Sequence, residues 1–370
     1  MKKAFGLAVG LIAAAVWAYL HFDARMGRSS LAEEEVLASA HNDAPTPAPQ
    51  PVRALAPTAG STDEVAPVAN PVLTRVARGD TNVFMLSTDQ VQAFLARNRT
   101  NADSLLAAFN VTMDPELLRE AARRYPSNVL VVSSLLGHDA APEQRREWID
   151  QFKRLANDNP LANYQSALDY FHNQRPQQGL QELAEASTKG GFTDYTTDRT
   201  QGLEELYLSS GYSIAEAKAL ATMGVQEPAL PVMRDLAVQL STMERQYAAT
   251  GDSASAATFA KLGLGLAANI ADAGTKSLGT QMLSASAERD FLKGLDPNGA
   301  YDFLQQPIAE RLGQLQSDRS AAVEESKWAT DWLGTANEPQ LVSYFDRMRL
   351  YGEAAALKWA RTQTGDPQRP

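Results

Sequence analysis

Cysteine is missing from all 370 residues of this chain, which excludes disulfides, thiolate metal sites and thiol nucleophiles. Histidine is scarce: His21, His41, His138 and His172 are the four present. No His-Glu-x-x-His, Gly-x-Ser-x-Gly or Gly-Lys-Ser/Thr phosphate loop occurs, so hydrolase and NTPase chemistry lose their usual supports. Basic runs are missing too, and a formal net charge of -10 repels phosphate backbones, so no nucleic-acid partner is expected. Long stretches of period-two alternation are also lacking. Only 82–86 and 129–132 carry short apolar or β-branched runs, and an all-α fold is expected.

The groups that remain do not assemble a reaction centre. Carboxylates are scattered, and Glu204-Glu205 and Glu324-Glu325 are expected on solvated helix faces. Asn157-Asp158-Asn159 lacks the ligand spacing and closing Glu of a calcium loop and reads as a helix cap before Pro160. Gly263-Leu264-Gly265-Leu266-Ala267-Ala268 spells a loose dinucleotide fingerprint, but no strand precedes it, so its glycines are read as close helix packing. No catalytic residue, cofactor or metal is expected.

What is present is a graded chain. Lys2 and Lys3 precede an unbroken apolar stretch at 4–20, which as a helix would span about 26 Å, the short end of a membrane crossing. Trp17 and Tyr19 suit an interfacial belt, and the lysines favour an amino terminus in the cytoplasm. The expectation is a single-pass anchor in a bacterial inner membrane with the bulk of the chain in the periplasm. The alternative is a cleaved signal peptide, with Val16-Trp17-Ala18 as its site, and a soluble exported protein. Ser30 to Glu33 reads as a capping box of a short helix. Prolines 45, 47, 49, 51, 57, 67 and 71 then remove amide donors and favour extended polyproline segments. The expected division is an anchor at 1–28, an Ala/Pro-rich disordered linker at 29–72 and a helical domain at 73–370.

Within that domain, Pro126 and Pro160, His138 and His172, and Pro142 and Pro176 recur at one spacing of 34 residues. Leu161, Tyr164, Ala167, Leu168 and Phe171 share one helical face, and Arg175-Pro176 breaks the helix before Leu180, Leu183 and Ala184 begin the next. Tyr247-x3-Gly251-x4-Ala256-x3-Ala260 repeats the pattern of aromatic, turn and small residues, and Tyr207, Gly211 and Ala217 carry most of it earlier. These segments resemble tetratricopeptide repeats. The resemblance implies a solenoid of stacked helical hairpins covering about 126–273, with Tyr164 and Tyr247 buried and the two histidines in equivalent structural positions. Segments 276–294, 307–333 and 341–362 read as further helices or a capping bundle.

Such arrays bind partners, so the expected function is a membrane-tethered, non-catalytic scaffold for a protein or peptide partner on the envelope side. An alternative is an anchored folding helper for an exported client. The order of anchor, Ala/Pro-rich linker and helical body is similar to that of lipase-specific foldases, although their Arg-x-x-Phe-Asp-Tyr signature is missing. A third class is an all-helical glycan-active enzyme. Trp328, Trp332, Tyr344 and Phe345 are the candidate docking aromatics, since aromatics dominate binding hot spots; the same spacing also suits two helices that share a core. The anchor expectation is checked by intact mass of the protein purified from its host. Retention of the first residues is the expected result, and a chain starting near Tyr19 shows a removed signal.

Overall fold

The computed structural model describes residues 70–364 apart from 78–79, 99–100, 139–143, 191, 228 and 274–275, and these residues are all-helical with no strand among them. The apolar stretch 4–20, the capping box at Ser30 and the linker through residue 69 lie outside the described residues.

Helix starts follow the polar caps. Helix α1 (Pro71–Ala77) begins two residues before the expected domain boundary, its Val72 and Leu73 amides donating to Asn70 Oδ1 at 2.9 and 3.2 Å. A 3-10 turn (Thr81–Phe84) occupies the first of the two short apolar runs. Ser87 and Gln90 form a capping box on α2 (Thr88–Arg97), Asn101 caps α3 (Ala102–Thr112), and Asp114 with Pro115 starts α4 (Pro115–Arg124). The second apolar run opens α5 (Val129–Gly137), where the Asn128 side chain accepts from the Leu130 and Val131 amides and commits the β-branched residues to helix. Then follow α6 (Arg145–Leu155), α7 (Pro160–His172), α8 (Pro176–Ala186), α9 (Thr196–Ser209), α10 (Ile214–Gly224), α11 (Ala229–Ala249), α12 (Ser253–Ala271), α13 (Leu278–Gly294) and α14 (Ile308–Leu333). The segment 341–362 is two helices, α15 (Glu338–Tyr351) and α16 (Glu353–Gln363), because Gly352 between them adopts φ 87°, a left-handed value that ends the first.

Packing begins with sequence neighbours: α5 with α6, α7 with α8, α9 with α10, and α11 with both α12 and α13. Contacts between distant segments then tie the chain together. Helix α9 packs on α3, α11 on α7, and α10 on α1, on the 3-10 turn and on α15. Lys218 of α10 anchors the last of these, reaching Glu204 of α9 at 2.8 Å and Asp346 of α15 at 2.7 Å; Arg349 of α15 reaches Glu204 at 3.2 Å. Glu204 is therefore an ion-pair partner, not the solvated residue expected of it, whereas Glu205 beside it is exposed.

Helix α7 is buried on nearly all sides, which requires polar partners for its polar residues. Asn163 donates to Glu182 at 2.7 Å, Lys153 of α6 pairs with Glu182 at 2.7 Å, and Asp169 lies 3.5 Å from Arg146. Tyr164 is buried, as the repeat reading expected, and its hydroxyl accepts from Asn269 of α12. Tyr247 is not: it is 38% exposed and stacks on Phe259, since it stands near the end of the long α11, beyond the cover of α13. The two histidines differ as well. His138 is half-buried with its ring edge-on to Phe109, while His172 is exposed, so their shared spacing places no shared environment.

One buried group opposes the fold. Glu244 of α11 is fully enclosed, both of its carboxylate oxygens lack a hydrogen-bond partner among the described residues, and it lies against Gly294, where a side chain would collide with it. Burial, with Asp290 adding to it against the pull of Arg245, pushes its pKa up to about 8. The unfolded chain releases this proton near the ordinary value of 4.5, so between the two values the folded state holds more protons and loses stability as pH rises. Urea midpoints of the wild type are expected to fall across pH 5 to 8, with a contribution from this residue on the order of 4 kcal/mol, and Glu244→Gln is expected to flatten that decline.

Candidate functional site

The α13–α14 connection and the length of α14 create an open groove. Leu292, Leu295, Ile308 and Leu315 form a small cluster with Ala260 that holds the first two turns of α14 against α12 and α13. Arg311 of α14 adds a two-pronged contact to Glu288 of α13, with Nη2 to Oε2 at 2.7 Å. That hydrogen bond, opposed by burial, holds the Arg311 pKa above its usual value. At the other end of α14, Ala329 and Trp332 enter a second cluster with Leu341, Tyr344, Phe345 and Leu357. Arg361 of α16 pairs with Glu325 there and lies 4.1 Å over the Trp328 ring.

Between these attachments, residues 316–325 contribute nothing to the core, so the middle of α14 stands away from the bundle. A 26-residue helix is about 39 Å long, and the gap beneath it is a groove of about 750 Å³ bounded by α12, α13, residues 303–306 and α14. One wall is the stripe Leu264, Ala268 and Ala271 on α12, at spacings of four and three residues. Met282 and Ala285 of α13 form the floor, Leu315 and Ala322 the facing wall, and Gln281, Gln305, Gln306 and Asp318 line the rim. The volume suits a small ligand or a few residues of extended chain. Among the lining residues the single hydroxyl, Ser284, donates to the Ala267 carbonyl at 2.7 Å, so no nucleophile here is paired with a base. The groove combines apolar contact and side-chain amides with the Glu288–Arg311 pair, Asp318 and Arg319, a mixed lining that can hold a ligand.

The stripe also explains a feature of α12. By length and composition alone this helix could cross a membrane, with a mean hydropathy of 1.2, and it is the single such helix among the described residues. Its apolar residues serve two faces instead. Phe259, Leu266, Ala267 and Ile270 enter the core with α11 and α13, and Leu264, Ala268 and Ala271 line the groove.

The aromatics proposed for docking fall elsewhere. Trp332, Tyr344 and Phe345 are buried in the cluster that roots the end of α14, and Trp328 is half-buried beneath Arg361. Three of the four therefore present no free surface, because α14, α15 and α16 bury them against one another; their role is to support the groove from one end. Glu325 is paired where a solvated face was expected, while Glu324 is exposed. Asn159 acts as the expected cap, accepting from the Leu161 amide, and among the described residues no group of His, Asp or Glu gathers as a metal site.

A second polar enclosure lies between α3, α5 and α9, with about 20 Å³ of space lined by Asp103, Asn110, Ser134, His138 and Arg199. That is room for one water. Burial lowers the Arg199 pKa to about 10, yet it remains cationic at neutral pH and donates to Ser133 Oγ and the Asp194 carbonyl, both at 3.0 Å. Burial and the nearby Arg199 charge lower His138, which is therefore neutral and structural. No protein-family profile, curated protein or solved structure matches this chain.

The groove was not nominated from sequence, although two signals for it exist: α12 is apolar on more than one face, and 316–325 lacks an apolar stripe inside a long helix. Of the two glycines in the dinucleotide spelling on α12, one is in close helix packing as expected and the other is not. Gly263 faces the Phe291 ring so closely that a Cβ would overlap it, whereas Gly265 faces open space. Gly263→Ala is expected to destabilise the protein by about 2 kcal/mol through overpacking, and Gly265→Ala to be neutral or slightly stabilising, as read by thermal unfolding.

Proposed function

We propose that this protein is a membrane-tethered scaffold built from hairpins similar to tetratricopeptide repeats, which holds an extended segment of a protein or peptide partner on the periplasmic side. The supporting observation is the groove beneath α14, lined by apolar side chains of α12, α13 and α14 together with glutamine amides and charged groups. The repeat spacing and the order of anchor, linker and helical body support the same reading. Hydrogen bonds between distant helices, such as Gln90 to the Ser210 carbonyl at 3.2 Å, join the hairpins into a stiff body that can present a groove at low entropic cost.

The folding-helper alternative draws on the same stripe, because Leu264, Ala268 and Ala271 would also suit a client segment that has not yet folded. A photo-crosslinking residue placed at Ala268 in the full chain is expected to give a discrete adduct in its host, lost when Leu264→Asp is added. A partner retained in the adduct supports the scaffold, and an adduct formed only during client refolding supports the helper. Turnover of a cell-wall polymer by the purified protein overturns both.

A further inference from the structure

The rim of the groove carries unused hydrogen-bond donors. The side-chain amides of Gln305 and Gln306 make no hydrogen bond among the described residues, and they stand beside the apolar Leu304 and Phe303. Such a surface matches a chain that is rich in proline, whose rings pack on apolar walls and whose carbonyls lack internal partners. This protein supplies such a chain itself. Sixty-nine residues precede Asn70, and five of the prolines fall between 45 and 57.

The place where that segment joins the folded body favours an intramolecular contact. Leu73 of α1 belongs to the same core cluster as Trp332 of α14, and Leu278 of α13 packs against that cluster. Leu278 precedes the groove residues Gln281 and Met282 by one turn, and Ala322 lies ten residues before Trp332, about 15 Å along the helix. The chain thus enters the bundle near one end of the groove lining. The residues between 57 and 70, if extended, reach about 40 Å, enough to bring 45–57 back along it. Arg53 is the single charge between Ala44 and Gly60; at the rim Asp318 accepts from Gln314 at 2.6 Å and Arg319 lines the groove beside it, so charge alone does not set where the segment sits.

We propose that a few residues of the proline-rich segment 45–57, around Arg53 and Ala54, dock in the α12–α14 groove of their own chain, so that an external partner binds by displacing them. This rests on the reading of the groove as a peptide site. The absence of cysteine allows a direct test in the full-length protein. Ala54→Cys is combined with Ala268→Cys in the groove wall, or with Ala254→Cys on the exposed first turn of α12 as a control; both alanines on α12 are exposed, so folding is expected to be kept, as circular dichroism would verify.

Under mild oxidation the groove pair is expected to form its disulfide at least ten-fold faster than the control pair, at a rate independent of protein concentration. A synthetic peptide of residues 44–60 is expected to slow that reaction, and to protect a lone Ala268→Cys from maleimide in a full-length variant whose prolines between 45 and 57 are replaced by serine. Equal rates for the two pairs overturn self-docking. A rate that rises with protein concentration also overturns it, by assigning the contact to a second copy. Equal rates together with protection by the peptide leave the groove as a peptide site without self-docking, and equal rates with no protection remove both readings.

Discussion

A buried ammonium group ties α10 to both α9 and α15. Lys218 is 8% exposed, and burial alone would lower its pKa, but hydrogen bonds to Asp346 and Glu204 outweigh that and keep it charged. The two carboxylates come from α15 and α9, and α9 also packs on α3 while α10 packs on α1. One side chain therefore joins α10 to α9 and α15, the helices that also carry the contacts to α1 and α3. Such a group specifies geometry more than it adds stability: with both partners present it roughly offsets its desolvation, and with one removed it leaves a buried charge uncompensated. The position of α15, and through it the root of α14, follows from that pairing.

What sequence could show was local. Ser87, Asn101, Asp114 and Asn159 stand as caps because a side-chain oxygen two or three residues before an amide needs no tertiary partner to act. Each copy of the 34-residue recurrence spans two helices in contact, α5 with α6 and α7 with α8, and a helix, a turn and a second helix are likewise a short-range unit. The recurrence could not show environment. His138 and His172 share a register, yet the first packs on Phe109 and the second meets solvent, because α3 covers one hairpin and not the other. Glu204 was misread since its partners lie 14 and 145 residues away. The groove was hidden for a different reason: it is made by a segment of α14 that fails to pack, and periodicity reports what is buried.

The aromatic cluster shows how core and site divide the work. Trp332, Tyr344 and Phe345 fill the root of α14, with the Tyr344 and Trp332 ring centroids 5.3 Å apart. The Tyr344 hydroxyl contacts Glu353, which in turn accepts from the Leu278 amide at 2.6 Å and so satisfies the open start of α13. Residues that looked suited to recognition thus fix the angle between the helices that bound the groove.

The manner in which α14 is attached has a mechanical consequence. Fastened at both ends and unsupported in the middle, it behaves as a beam across two piers, and the clearance beneath it is set by the positions of the piers. Side chains on its outer face, such as Ser320 and Ala321, can then vary with little effect on the opening. A helix resists bending through its backbone hydrogen bonds. An occupant wider than the slot would therefore have to tilt α14 as a whole about its aromatic root, and strain at the slot would be felt at α15 and at the Lys218 pairing.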